Sequence, residues 1–247
     1  MEHKEYIRIC DHAAVAVLFI HGIVGTPNHF HAFVPLVPEN FSVYNLLLDG
    51  HGKGVRDFAG TSMRKWEEQV NAVVEELSLT HEKIYIVAHS LGTLLAIEQS
   101  LKNKKVSKLF LLAVPLRLAL KPKMAINACK VFFDKVDPDD HEAIAAKNCY
   151  GVAQDRNPLH YFGWVPRFLE LFAKMRQTRE MIGQISSKCT VYQSAHDEMV
   201  ARQSEKYLKN KPNITVNVLQ NSGHYHYAGE DFARLLAEFE RMLHQAL

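Results

Sequence analysis

Ser90 stands in a short segment whose residue types suit nucleophilic catalysis. Residues 84–87 are a run of apolar residues that predicts a buried strand, and residues 91–101 predict a helix directly after the turn. A serine at the apex of such a sharp turn presents its hydroxyl at the N-terminus of the helix. The usual pattern has glycine two residues before and after the serine, whereas this chain has Ala88 and Gly92. We therefore predict that Ser90 is a nucleophile; the alternative is an ordinary strand–helix connection with Ser90 near the helix N-cap.

A serine hydroxyl needs a base that removes its proton, and histidine is the usual one. The chain has 14 histidines, so composition alone does not select the base. His224 follows the predicted strand 214–219 on a turn formed by residues 221–223. His226 is the nearest rival, although it lies further from the end of the strand. Position therefore favours His224 as the base.

The base in turn needs a carboxylate that fixes its tautomer and stabilises its cation. Asp197 lies between a predicted strand at residues 190–193 and a predicted helix at residues 200–209. It also satisfies the chain order of serine, acid and histidine that is found in hydrolases with this type of turn. The adjacent Glu198 competes for the role, but it has a ready structural role near a helix N-terminus. We predict Asp197 as the acid.

A tetrahedral intermediate on an acyl carbon needs backbone N–H groups that stabilise its oxyanion. One predicted donor is Leu91, because it is the first residue of the helix after the serine. The other is Ile23, in the loop that follows a predicted strand at residues 15–20. The flanking Gly22 and Gly25 suit a loop whose amides must turn inward.

Strands and helices alternate along most of the chain, which predicts a mostly parallel sheet with helices on both faces. Because sites in such folds lie at the carboxyl ends of the strands, every candidate residue should meet at one edge of the sheet. The predicted strands are residues 6–9, 15–20, 41–48, 84–87, 108–114, 190–193 and 214–219. The predicted helices outside the region between residues 116 and 182 are residues 27–36, a long helix capped by Thr61 or Ser62, and residues 91–101, 200–209 and 229–247.

Composition limits the class of partner. The net charge of +2 and the 23% of charged residues favour neither nucleic acid nor an anionic membrane as a partner. The apolar run at residues 14–20 is too short to span a bilayer, so we expect no stable membrane insertion. Four scattered cysteines and no signal-peptide pattern predict a cytoplasmic protein with reduced thiols. The sequence indicates no particular oligomeric state.

Metal and nucleotide chemistry are less well supported. Pairs such as His29 with His31 superficially resemble metal ligands, but no HExxH motif or dense cluster accompanies them. Residues 22–26 lack the lysine of a phosphate-binding loop and the spacing of a dinucleotide site. The sequence therefore predicts no metal and no cofactor.

Five segments together resemble the α/β-hydrolase superfamily, and within it small bacterial carboxylesterases and monoacylglycerol-lipase-like enzymes. In chain order they are IHGIVGTP, LLLDGHG, VAHSLGT, SAHDEMV and NSGH. The resemblance implies an eight-stranded type of sheet, a triad of Ser90, Asp197 and His224, and oxyanion donors at Ile23 and Leu91. Two departures are Ala88 at the turn and Asp49 where a proline commonly precedes GHG.

Residues 116–182 do not follow the strand–helix alternation of the rest of the chain. In the superfamily that the chain resembles, an insertion at this position forms a cap, so we expect a core of residues 1–115 and 183–247 with a helical cap between them. The segment is rich in aromatic residues, of which Tyr161, Phe162 and Trp164 are predicted to contact substrate. The alternative is a small helical subdomain with a core of its own.

Together these features predict a serine esterase that acts on short to medium acyl monoesters, with monoacylglycerols among the candidate substrates. The partner is then a small-molecule ester, and the reaction passes through an acyl-enzyme intermediate. A thioesterase or an acyltransferase with the same triad is the alternative among enzymes. A binding protein on a hydrolase scaffold is the alternative from another class, but such a protein has no need of all three residues.

Overall fold

A computed structural model describes residues 3–244, and within this range one sheet of seven strands forms the centre of the fold. The strands are β1 (Tyr6–Arg8), β2 (Val15–Ile20), β3 (Ser42–Leu46), β4 (Lys83–His89), β5 (Val106–Leu112), β6 (Lys188–Ser194) and β7 (Ile214–Leu219). Their order is β1-β3-β2-β4-β5-β6-β7. All neighbours are parallel except β1 and β3, which pair antiparallel. The predicted mostly parallel sheet is confirmed.

Helices cover both faces of the sheet. They are α1 (Val55–Ala59), α2 (Met63–Thr80), α3 (Leu91–Lys102), α4 (Pro122–Phe132), α5 (His141–Cys149), α6 (Val165–Met181), α7 (Glu205–Leu208) and α8 (Gly229–His244). Short 3-10 helices occur at Pro27–Phe30, Val34–Leu36, Pro158–Trp164, Ile182–Gln184 and Arg202–Ser204. Of the helices described, none is both long and apolar enough to cross a membrane.

The alternation of side chains along the strands divides the core between the two faces. On β2, Leu18 and Ile20 belong to one apolar cluster, while Val17 and Phe19 belong to the other. The first cluster includes the buried face of α2 and apolar residues of α3, and the second includes the buried face of α8. Every residue of β2 is fully buried, as a central parallel strand requires. These clusters hold the strand ends, and hence the candidate residues, in fixed positions.

Two predicted helices are wrong in detail. Residues 27–36 form two 3-10 helices, because Pro35 has no N–H and its ring obstructs a continuing helix. Thr26 nevertheless caps the first of them, since its side chain accepts a hydrogen bond from the Asn28 N–H. Residues 200–209 form a 3-10 helix and the short α7, while α1 was not predicted at all. The sheet has seven strands in the described residues, rather than the eight that the resemblance implied.

Residues 116–182 lie between β5 and β6 and hold α4, α5 and α6. The helix α6 is bound to the core by polar contacts: Arg167 Nη1 donates to Ala59 O at 2.7 Å, and Glu170 Oε2 accepts from Met63 N at 2.9 Å. Lys174, which is almost fully buried, pairs with Glu67 and Glu98. The helices α4 and α5 are instead tied to each other by the ion pairs Lys123–Glu142 and Lys130–Asp140.

Candidate active site

Ser90 occupies a strained turn between β4 and α3. Its φ of 51° and ψ of −120° lie in a region that residues other than glycine rarely adopt. Such strain is typical of a turn that must present a side chain at a fixed point. Ala88, two residues earlier, is fully buried, so the structure accommodates the methyl group that replaces the expected glycine.

His224 and Asp197 form a hydrogen-bonded pair beyond the carboxyl ends of β7 and β6. His224 Nδ1 lies 2.9 Å from Asp197 Oδ2 and 3.1 Å from Oδ1. The N–H groups of Met199 and Val200 donate to the same carboxylate at 2.8 and 2.7 Å. The carboxylate fixes the proton on Nδ1 and leaves the Nε2 lone pair available. Nε2 is buried and has no hydrogen-bond partner within residues 3–244.

The electrostatics of this pair favour an ion pair. Burial raises the pKa of the Asp197 carboxyl, but the charge of His224 and the hydrogen bonds outweigh it, so the pKa lies below its ordinary value. Burial lowers the pKa of His224, but the charges of Asp197 and Glu198 outweigh it and raise the pKa above its ordinary value. The imidazolium of His224 is therefore stabilised in place, which is what a base that gains a proton during a reaction requires.

The two rival residues, Glu198 and His226, make other contacts. Glu198 does not contact the imidazole Nδ1; its Oε2 accepts a hydrogen bond from the main-chain N–H of His224 at 2.9 Å. The ring of His226 stacks on that of His141, with 6.0 Å between the centroids. Of the two neighbouring acids, Asp197 is the one that holds the histidine side chain.

The loop after β2 lies beside the serine. A Cβ on Gly22 would be only 3.0 Å from the Ser90 Cβ, so the loop and the turn are in direct contact. Ile23 lines the same cavity as Ser90, and Leu91 is the first residue of α3. Both predicted N–H donors therefore lie next to the serine in the chain or in space. The loop is itself strained, because Val24 has a φ of 49°.

A residue of the 116–182 segment holds this loop in place. The Gly151 N–H donates to Val24 O at 2.8 Å, and Gly151 O accepts from the Gly52 N–H at 2.6 Å. A Cβ on Gly151 would lie 2.0 Å from Gly25 O, so only glycine fits between the two loops. Apart from the glycine itself, no pattern in the sequence indicates this contact.

A cavity of about 640 Å³ opens above Ser90 and His224. Its walls are mainly apolar side chains from α4 and α6 and from the loops after β2 and β6. Among the predicted substrate contacts, Tyr161 and Trp164 line it. Phe162 is 71% exposed and is not among the lining residues, so the structure does not bring it to the site. The residues contributed by the 116–182 segment include Met124, Asn127, Val131, Tyr150, Phe168, Leu171 and Phe172.

Buried neutral histidines pack behind His224. His89 Nε2 donates to the main-chain carbonyl of His224 at 3.0 Å, and the His89 ring stacks on His29 with 3.9 Å between centroids. Burial lowers the pKa of His29 to about 3 and that of His89 well below its ordinary value. These rings are therefore uncharged spacers at neutral pH. No group of three or more potential metal ligands occurs in the described part of the chain.

The sequence profile of the Alpha/beta hydrolase family matches residues 17–238. The chain belongs to this family. No protein of curated function matches the chain in sequence.

Solved structures of other α/β-hydrolases show the same fold at low sequence identity. A metagenome-derived lipolytic enzyme from the study of LipS and LipT has a TM-score of 0.76 at 15% identity, over 99% of this chain and 98% of that one. The monoacylglycerol lipase of Paleococcus ferrophilus has a TM-score of 0.64 at 18% identity, over 98% and 100% of the chains. The thioesterase domain from the curacin biosynthetic pathway has a TM-score of 0.59 at 17% identity, over 96% and 98%.

Proposed function

We propose that this α/β-hydrolase is a serine esterase with Ser90 as nucleophile, His224 as base and Asp197 as the acid that orients it. The observation that carries the proposal is the placement of His224. Its Nδ1 is fixed by Asp197, while its unpartnered Nε2 and the strained Ser90 belong to one cavity. A binding protein would gain nothing from a buried Asp197–His224 pair in the same cavity as a strained serine.

In the proposed reaction, Ser90 Oγ attacks the ester carbonyl carbon while its proton passes to His224 Nε2. The N–H groups of Ile23 and Leu91 stabilise the oxyanion of the tetrahedral intermediate. The C–O bond of the alcohol then breaks, and the alcohol leaves with the proton from His224. A water molecule, deprotonated by His224, hydrolyses the acyl-enzyme by the same route and releases the carboxylic acid.

We propose that residues 116–182 act as a cap whose inner surface forms the acyl pocket. A cavity of about 640 Å³ with mainly apolar walls is within the range of small-molecule sites. Such a pocket favours acyl monoesters of short to medium length, monoacylglycerols included, over triglycerides. The similar structure from Paleococcus ferrophilus is that of a monoacylglycerol lipase, which agrees with this substrate class.

The nucleophile is tested with the substitution Ser90→Ala. We expect kcat to fall by roughly four to six orders of magnitude on p-nitrophenyl butyrate, because the residue that forms the acyl-enzyme is lost. A fluorophosphonate probe should label Ser90 in the parent protein. The matched control is Ser100→Ala, since Ser100 is a buried serine of α3, the helix that follows Ser90, and its hydroxyl donates to Ile97 O. Labelling at another serine, or unchanged turnover in Ser90→Ala, would refute the assignment.

The substrate class is tested with p-nitrophenyl esters from acetate to palmitate and an emulsified triglyceride. Each buried methylene contributes at most about 0.8 kcal/mol, so kcat/KM should rise by up to a few-fold per carbon until the pocket is full. A rise that continues to palmitate, or activation at the emulsion surface, would indicate a lipase instead.

A thioesterase is the second candidate, because a thioester presents the same acyl carbon to the serine. The similarity in fold to the thioesterase domain from the curacin pathway is the observation that favours it. Parallel measurement of kcat/KM on an acyl-CoA and on the p-nitrophenyl ester of the same acyl group separates the two. We expect the ester to be the better substrate.

A further inference from the structure

Glu198 is a second buried carboxylate next to the predicted base. The residue is 6% exposed, and its Oε2 accepts from the His224 N–H at 2.9 Å. The same residue lines the cavity together with Ser90 and His224. Its main-chain oxygen accepts from the Lys121 N–H, at the start of α4. The role proposed above for Asp197 uses none of these contacts.

The surroundings of His224 contain few charges apart from the two acids. His89 packs against the ring from the end of β4, and His29 packs behind His89; burial lowers the pKa of both, so they are neutral at pH 7. The Tyr225 ring packs edge-on against the His224 ring, and burial raises the pKa of its hydroxyl above its ordinary value. Among the described residues packed against His224, Asp197 and Glu198 are the groups whose charges raise its pKa.

We propose that Glu198 is a positioning residue for His224, which fixes its main chain and places a second negative charge beside the imidazolium formed during the reaction. Asp197 orients the ring through Nδ1, and Glu198 holds the backbone from which the ring projects. The Glu198 carboxylate packs tightly against the turn before His224, because a Cβ on Gly223 would lie 3.0 Å from Glu198 Oε2. This inference rests on the proposed role of His224 as the base.

The second charge has an effect on catalysis that a structural hydrogen bond lacks. Both carboxylates favour protonated His224, and only the neutral form removes the proton from serine. The acid limb is the part of the pH profile where kcat/KM falls as the pH falls, and it reports the protonation of the base in the free enzyme. Glu198 therefore holds this limb at a higher pH than Asp197 alone would.

The substitution Glu198→Gln separates charge from hydrogen bonding, since the amide oxygen still accepts from His224 N–H. We expect the acid limb to move to lower pH by about 0.5–1 unit, with kcat/KM on the plateau lowered by less than about tenfold. Glu198→Asp keeps the charge but shortens the side chain, so it should leave the acid limb near its original pH and lower the plateau. The matched control is Glu205→Gln, a buried glutamate of α7 that pairs with Lys209 and should leave the limb unmoved.

A titration of the histidine side chains by NMR supplies a readout that does not depend on activity. In Glu198→Gln the pKa of His224 should fall, whereas in Glu205→Gln it should stay. An unmoved pKa of His224 in folded Glu198→Gln would overturn the proposal, as would an acid limb that shifts in Glu198→Asp as much as in Glu198→Gln. If the proposed function were wrong, the shift seen by NMR would remain while ester turnover and labelling of Ser90 were absent.

Discussion

Gly92, in the first turn of α3, lies directly against the main chain of Ile20 at the end of β2. A Cβ at position 92 would be 2.2 Å from the Ile20 carbonyl oxygen and 2.7 Å from that of His21. Both of these atoms are backbone, so neither can move aside as a flexible side chain would. The turn that carries Ser90 is therefore held in place by a contact that only glycine permits.

We predict that Gly92→Ala destabilises the protein by more than about 2 kcal/mol and displaces Ser90, because α3 must move away from β2. Urea unfolding and the rate of fluorophosphonate labelling measure the two effects. Gly229→Ala is the control, since a Cβ there has no neighbour within 4 Å. Equal stability of the two variants would contradict the prediction.

We predict that Asp197→Asn folds but lowers kcat on the order of 10⁴-fold, because an amide favours the wrong tautomer of His224. Circular dichroism checks the fold, and burst kinetics check the acylation step. Glu198→Gln should lower kcat far less. A larger loss in Glu198→Gln than in Asp197→Asn would assign the acid to position 198.

We predict that acid weakens the fold through buried neutral histidines. Burial lowers the pKa of His29 to about 3 and that of His51 to about 4, whereas an unfolded histidine titrates near 6.5. Below pH 6.5 the unfolded chain therefore binds protons that the folded chain does not, and the free energy of unfolding falls. At pH 5 each residue accounts for a loss of about 2 kcal/mol relative to pH 8.

Urea unfolding between pH 8 and pH 5 tests this prediction with His51→Gln. The variant should lose about 2 kcal/mol less than the parent over that range, whatever its stability at pH 8. His31→Gln serves as the control, because His31 is exposed. A pH dependence in His51→Gln that equals that of the parent would show that His51 is not the source.

We predict that Asn127→Leu improves both stability and activity on plain alkanoyl esters. Asn127 on α4 is 5% exposed and lines the cavity, and its Nδ2 has no hydrogen-bond partner among the described residues. An unpaired buried donor costs about 1–3 kcal/mol, which a leucine of similar shape removes. We expect kcat/KM to rise a few-fold on octanoate and little on acetate, with Met124→Leu as the control from the same helix. A loss of activity would mean that the substrate provides an acceptor for Asn127.

The sequence was sufficient to predict the strands that precede Ser90, Asp197 and His224. Each of these residues follows a strand whose apolar pattern is strong. The carboxyl ends of parallel strands lie at one edge of the sheet. The positions of these residues after their strands were therefore enough to predict that they lie close together. The bounds of β2 and β7 agree with the predicted residues for the same reason. Their roles in a reaction remain predictions until the variants above are measured.

Features that depend on contacts between distant loops were not predictable. The hydrogen bond from His224 N–H to Glu198 requires knowledge of how two loops pack, and no local pattern encodes it. Phe162 and Trp164 lie two residues apart in the 3-10 helix Pro158–Trp164, which is too short for periodicity to indicate that Trp164 lines the cavity while Phe162 does not. The break at Pro35 was readable in principle, since proline rarely continues a helix.

Gly151 lies between the loops of Gly25 and Gly52, so the 116–182 segment is not an independent module that can be exchanged as a whole. The loop that carries Ile23 is held on one side by the sheet and on the other by this glycine. Replacing the whole segment with that of a relative would change substrate preference only if the donor also supplied a glycine at this contact. Engineering of specificity in this protein should therefore exchange α4 and α5 and keep residues 150–153 unchanged.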